Sequence, residues 1–250
     1  ARQINFMANL IFFDALTCSP TMKNLFAILL LLSIAQGVFS QKISNIDFDI
    51  VKEQTTKEGS AFYYPTLIER LSQLDSTLTF EAYRMLYYGN VFYDKYAPYG
   101  EGEDEEKFYE LTRSGEYSNA IVYGKKVLME NPINLKSTYF MLVCYSGMNR
   151  NDVARHYARI YFNLLDVIYS SGDGMGMNTS WVVLNVADEY MVLTDMELER
   201  SLQQLVGDTD VLTISQKGQK KEKGKKKIKK LYFNVRMPIN ELQNSTEEKE

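Results

Sequence analysis

The sequence predicts an α+β fold, with helical hairpins through its N-terminal part and a small antiparallel β element after them. Three observations lead there. Tyr117, Ala120, Ile121, Gly124, Val127 and Leu128 make one continuous apolar stripe at the 3.6-residue period of a helix. A shift of 34 residues carries Ala120 onto Ala154, Leu111 onto Tyr145 and Ser118 onto Asp152. Asp210 to Ser215 and Leu231 to Met237 alternate at the two-residue period of strands, with Leu231, Phe233, Val235 and Met237 on one face.

Taken in order, the chain opens with residues 1–21, then a segment from Met22 to Gln41 with the composition of an export signal. Lys23 is its cationic start, Leu25 to Ile34 its apolar stretch, and Val38-Phe39-Ser40 a small-residue cleavage site before Gln41. So short a run falls below the about 20 apolar residues a membrane span requires. Residues 22–40 are therefore expected to be a signal peptide, cut after Ser40 and directing the protein to the periplasm or outside the cell. Such signals start at or near the initiating Met, so residues 1–21 are read as a reading-frame overrun. A long cationic region, or a start at Met7 with a brief apolar patch at Leu10 to Phe13, is the alternative.

The expected mature chain, Gln41 to Glu250, has 210 residues, enough for one large domain or two small ones with a core. It carries 26 basic and 31 acidic residues, and this mildly acidic balance offers no global reason to expect nucleic acid. Cys18 leaves with the leader, and Cys144 alone cannot form an internal disulfide. No cysteine stands at the cut site to take a bacterial lipid anchor.

Within the mature chain, residues 41–169 are expected to be the helical repeat-like region. Lys42 to Ser60 reads as an extended lead-in, because Ile46, Phe48 and Ile50 alternate with Asp47 and Asp49. Aromatic-rich helices follow at about Pro65 to Leu74 and Thr79 to Tyr93. Pro98 and Gly100 break the chain, and the acidic run Glu101 to Glu106 suits the positive end of the next helix. The next helix opens at Gly115 to Ala120 and stops at Asn131-Pro132. A 34-residue period is the signature of tetratricopeptide repeats, whose hairpins bury their apolar faces only by stacking. Two such units are read, Glu105 to Pro132 and Leu135 to Ile168, with a degenerate pair before them as an option.

Residues 170–242 are read as the β-containing C-terminal region. Ser170 to Thr179 is Gly- and Ser-rich and reads as a flexible crossing. Trp181 to Val186 is expected to be a strand and Tyr190 to Leu193 a second. The strands at 210–215 and 231–237 form a hairpin around the Lys-rich loop 217–230. Residues 243–250 are charged and expected to be a disordered tail.

The order of these features resembles a known group. An exported leader precedes Tyr87-Tyr88-Gly89 and Tyr96-Ala97-Pro98-Tyr99; the Gly115 to Pro132 helix, Asp188-Glu189-Tyr190 and a closing Leu231-Tyr232-Phe233-Asn234-Val235 strand follow. Together they resemble an uncharacterised family of exported Gram-negative bacterial proteins, classed as a domain of unknown function. The likeness covers nearly all of Ile46 to Leu242 and implies no activity. The basic loop is this chain's own elaboration.

No enzyme is expected. His156 is the only histidine, and one histidine with one mature cysteine excludes the usual zinc sets. A meeting of Cys144 and His156 as thiol and base is the weaker reading beside a core cysteine and a surface histidine. No serine has Gly-x-Ser-x-Gly flanks. Gly172 to Met177 is glycine-rich but lacks the Gly-Lys-Ser/Thr ending of a phosphate loop, so a mobile linker is the better reading and no cofactor is expected. The acidic run lacks the alternating ligands of a calcium loop and reads as a solvated helix start, so no metal is expected.

Two surfaces remain as binding candidates. Nine lysines crowd residues 217–230, and Lys220, Lys221, Lys225, Lys226 and Lys227 are the candidate contacts to polyanions such as anionic glycan or lipid headgroups. The plainer reading is a solvated loop that keeps the strands soluble. Nucleic acid is not expected there, since no aromatic is interleaved for stacking. The other surface is a tyrosine belt between Tyr63 and Tyr99. Tyr87, Tyr88, Tyr96 and Tyr99, with Tyr145 of a helical groove, are the candidate contacts to a protein or peptide partner. Tyr87 and Tyr88 are adjacent, so at least one is expected to leave the main core stripe, while about half the belt fills the core. The expected function is a non-enzymatic interaction scaffold bound to another envelope protein or peptide through a helical groove, with an envelope glycan or anionic-polymer module as the alternative.

Overall fold

A computed structural model describes residues 46–99, 102–217, 219 and 227–247. Among these, nine α-helices and a four-stranded sheet lie within one unit, Gln41–Glu250. The helices fill the N-terminal part and the strands lie toward the C-terminus, as the α+β reading requires.

The expected extended lead-in is instead helix α1, Phe48–Thr56. Asp47 starts it: its Oδ1 accepts the Asp49 and Ile50 N–H groups, both at 3.1 Å. The helix buries Val51 and Thr55, four residues apart on one face. The alternation at 46–50 is thus too short to distinguish strand from helix, and Ile50 is 53% exposed. Helix α2, Tyr64–Ser72, takes Pro65 in its first turn, where no N–H is needed, and buries Tyr64, Leu67 and Leu71. Helix α3, Phe80–Gly89, is capped by Thr79 and is buried from Ala82 to Gly89 except at Arg84. A short 3₁₀ turn, Asn90–Phe92, follows.

Two hairpins come next: α4, Glu103–Arg113, with α5, Tyr117–Glu130, and α6, Leu135–Gly147, with α7, Asn151–Ser170. The 34-residue offset is built into the backbone. Gly115 (φ 81°) and Asn149 (φ 57°) both adopt the left-handed conformation that ends a helix. The following N–H returns to Leu111 O from Glu116 and to Tyr145 O from Arg150. Leu74 ends α2 with the same left-handed cap, and Asp75 N–H bonds back to Arg70 O. Ala120 and Ala154 are both buried, and a side chain on Gly124 would lie 2.6 Å from Met141 Sδ and Phe108 Cζ. The close approach of α4, α5 and α6 therefore requires glycine at that position.

The sheet comprises β1, Trp181–Val182, β2, Arg200–Val206, β3, Thr209–Ile214, and β4, Lys230–Asn234, in the order β1-β4-β3-β2. β3 pairs antiparallel with β4 as expected, with Leu212 opposite Leu231. The element is not wholly antiparallel, because the short β1 pairs parallel with β4. The unforeseen β2 forms a tight hairpin with β3 through Gly207-Asp208, with Gly207 at φ +60°.

Four further expectations are corrected. Tyr190 to Leu193 belongs to helix α8, Val186–Asp195, because Asn185 accepts the Ala187 N–H and nucleates a helix there. The strand expected at 181–186 ends at Val182 for the same reason. Ser170 to Thr179 is a pinned crossing: Trp181 Nε1 donates to Gly172 O, Tyr232 N–H to Gly174 O, and the Asp173 and Gly174 N–H groups to Thr179 O. Gly174 (φ +67°) lies so close to Trp181 that a Cβ would sit 2.5 Å from the indole. Finally, Met237 leaves the strand, because helix α9, Arg236–Glu247, begins after Val235 and takes in part of the expected tail. Residues 248–250, the expected overrun at 1–21 and the expected signal peptide at 22–40 lie outside the described residues.

Candidate functional site

Adjacent Tyr87 and Tyr88 of α3 point different ways yet are both fully buried, with ring centroids 5.0 Å apart. Each hydroxyl has a partner on the chain between β1 and α8. Tyr88 Oη donates to Val182 O at 3.3 Å, and Tyr87 Oη donates to Asp188 Oδ2 at 2.6 Å while accepting the Leu184 N–H at 3.1 Å. Tyr96 adds a third tie, from its Oη to Leu184 O at 2.8 Å. Buried hydroxyls need partners, and these partners hold residues 182–188 against α3.

That segment floors a cleft of about 1440 Å³. One side is the turn with Tyr96, Pro98 and Tyr99; the opposite wall is the start of α4, the α5–α6 turn and α6; Tyr190 of α8 completes it. Two helix caps line the cleft and fix the starts of α8 and α6 there. Asn185 and Asp188 cap the start of α8, with Asp188 taking the Asn185 backbone N–H. Asn134 caps α6 through the Ser137 N–H at 2.8 Å, and its Nδ2 donates to Glu105 Oε1 at 2.6 Å, joining the two hairpins.

Burial governs the electrostatics. It pushes the Asp188 carboxyl up to about 7, against the Tyr87 hydroxyl and Asn185 N–H bonds, which favour the anion. Beneath the cleft, burial and then the neighbouring Asp210 carboxylate push Glu189 up to about 9. Burial also raises the Tyr87, Tyr88 and Tyr96 phenols, so all three are neutral donors. At the mouth, Tyr99 is 41% exposed. Along the wall, Lys136 Nζ lies 4.0 Å from the centre of the Tyr109 ring. Asn131 Oδ1 is buried in this region, and no donor among the described residues reaches it.

The structure separates the sequence-predicted contacts. Tyr96 and Tyr99 line the cleft. Tyr87 and Tyr88 do not form a surface, because both are spent tying α3 to residues 182–188, from β1 to the start of α8. Tyr145 is buried on α6, stacked on Tyr157 at 5.5 Å, and does not line the cleft. Lys227 is exposed and donates to Gln216 O, whereas Lys220, Lys221, Lys225 and Lys226 lie outside the described residues. Tyr109, Tyr139, Phe140 and Tyr190 were not foreseen as site residues. Their signal was the Asn131-Pro132-Ile133-Asn134 turn, which brings the ends of two hairpins to one place.

In chemical terms the cleft presents rings, amides, carboxyls and, among the described residues, two lysines but no histidine, cysteine or serine. Among the described residues no cluster of His, Cys, Asp or Glu is placed to hold a metal ion, and no helix is long and apolar enough to cross a membrane. Cys144 is buried at 3.3 Å from Thr112 Oγ1, and burial raises its thiol. No curated protein and no solved structure matches the chain. Residues 49–244 match the family described as domain of unknown function (DUF4919), and over that span, which includes every wall of the cleft, the chain belongs to this family.

Proposed function

We propose that the protein is a non-enzymatic, exported interaction scaffold, and that the cleft between the hairpins and α8 takes a segment of another envelope protein or a peptide. The observation that carries this reading is the cleft itself. It is large, floored by hydrogen-bonded backbone, and lined by six rings from four parts of the chain, Tyr96 and Tyr99 among them. Tyrosine rings on a rigid frame offer apolar area with a polar tip at small entropic cost, which suits protein contacts. The 34-residue repetition of caps and buried alanines supports reading α4 to α7 as tetratricopeptide-like, an architecture that stacks hairpins around a groove. Met22 to Ser40 supports export to the periplasm or beyond.

The test places a photo-cross-linking side chain at Tyr99, in the cleft, and separately at Phe162, which is 48% exposed on α7. In the producing cells, position 99 should give a discrete protein adduct that position 162 does not, on a chain beginning at Gln41. Equal yields from both positions would remove the cleft from the function. A second reading, polyanion binding by the lysine loop, is favoured by exposed Lys217, Lys227, Lys229 and Lys230 at its two ends. It predicts capture of glycan or lipid that is lost at modest salt, and survives only if lysine-to-serine changes abolish it.

A further inference from the structure

The charge on the cleft is uneven. Among the described residues five carboxyls line it, Glu103, Asp104, Glu105, Glu130 and Asp188, against the ammonium groups of Lys95 and Lys136. Lys126, from outside the cleft, pairs with Asp104 at 3.1 Å, and Asp188 is buried against Tyr87, which leaves Glu103, Glu105 and Glu130 against Lys95 and Lys136 among the described residues. Glu103 and Glu130 are exposed at the start of α4 and the end of α5. The bonds Glu105 accepts from Asn134 Nδ2 and the Gly102 N–H come from neutral donors, so neither offsets its charge.

In the cleft and beside it, ammonium groups of this chain already lie on tyrosine rings. Lys136 sits over the Tyr109 ring at 4.0 Å. Lys126 lies 5.0 Å from the centre of the Tyr123 ring while it bonds Asp104. An ammonium group thus lies on a tyrosine face at both Lys136 and Lys126, favoured by the ring quadrupole, and at Lys126 the Asp104 carboxylate adds Coulomb attraction. Asn131 Oδ1 adds a buried acceptor that no donor among the described residues reaches. Lysine and arginine side chains are donors only, so they match that deficit where a carboxylate does not.

We infer that the cleft selects a peptide segment carrying a lysine or arginine, whose charged end lies against the Glu103 and Glu130 wall and whose stem packs on the tyrosine rings. This rests on the reading that the cleft binds peptide, and the experiment separates the two. The full chain is presented with a random peptide library, and the tightest binder is measured by titration calorimetry. Its basic residue is then replaced by norleucine, and the protein is replaced by a variant with both Glu103→Gln and Glu130→Gln. Enrichment of lysine and arginine, with a loss of roughly tenfold in affinity from either change, is the expected result. Bound peptides without basic enrichment, or affinities unmoved by both changes, would overturn the inference and leave peptide binding standing. Failure of the unaltered protein to bind any peptide would overturn both. A Tyr99→Ala variant serves as the charge-independent control, expected to weaken basic and neutral peptides alike.

Discussion

Glu189 follows Asp188 in the first turn of α8 and is fully buried, with Asp210 of β3 as its charged neighbour. Its carboxyl keeps its proton up to about 9, against 4.5 for the ordinary side chain. Between those values the unfolded chain loses the proton and the folded chain retains it. Raising the pH therefore favours unfolding, and the whole penalty is reached only above the folded value. At pH 7 the cost is on the order of 3 kcal/mol, from about 1.4 kcal/mol for each pH unit above the unfolded value. Glu189→Gln keeps the size of the side chain and removes the titration. The variant should be more stable than the parent at pH 7 by one to a few kcal/mol on the same principle, with the difference shrinking toward pH 4.5. Urea melts at the two pH values measure it, and a gap that does not change with pH would show that burial of this carboxyl is not what is being read. Asp188 differs because its anion has partners in Tyr87 and the Asn185 N–H, which hold it near neutrality at the floor of the cleft.

At the scale of elements, caps decide where helices begin and how hairpins join. Asn134 starts α6 and reaches across to Glu105 of α4, so one side chain serves two helices. Removing it in Asn134→Ala should cost about 1–2 kcal/mol, from the cap and the cross-helix bond together. Asn134→Asp keeps a capping oxygen but sets a second carboxylate against Glu105. It should also be destabilising, and restored in part by Glu105→Gln, a pattern that a double-mutant cycle by thermal melting tests directly. The same scale explains what could be read from the chain. The hairpins of α4 to α7 were legible because the apolar stripe, the small residues and the 34-residue offset all agree. α1 and α8 were not, since the short alternation at 46–50 and the short apolar run at 190–193 fit either period and the deciding signals are the caps Asp47 and Asn185. β2 was missed because it is an exposed edge: Leu202, Leu205 and Val206 stand in solvent, and no buried face imposes alternation. The cleft was only half legible. Tyr96 and Tyr99 could be named from their position around a chain break, but Tyr87 and Tyr88 show how an aromatic cluster conceals which rings have buried partners. That distinction depends on Val182, Leu184 and Asp188, about a hundred residues away.

Across the molecule, the repeat-like helices and the sheet are physically continuous. The larger apolar core includes Tyr87, Leu164, Ile168, Trp181, Leu212 and Phe233, and so runs from α3 through α7 into β1, β3 and β4. A smaller core holds Phe108, Ala120, Met141 and Cys144 among α4, α5 and α6. α7 joins the two, because Ala154 and Tyr157 belong to the smaller core while Ile160 to Ile168 belong to the larger. An element buried in both cores cannot leave one without exposing apolar surface of the other, at about 25 cal/mol per Å². Cooperative unfolding of helices and sheet should follow. The chain supplies a natural reporter for each part: its single tryptophan, Trp181, lies in the sheet against Phe233, while most of the helix signal arises between residues 48 and 170. Indole fluorescence and far-ultraviolet circular dichroism should therefore report coincident urea transitions. A helix signal lost well before the tryptophan signal would mean that the smaller core opens alone. In that case the wall formed by α4, α5 and α6 would move independently of the α8 floor, and the cleft would not be the rigid frame that the proposed peptide binding requires.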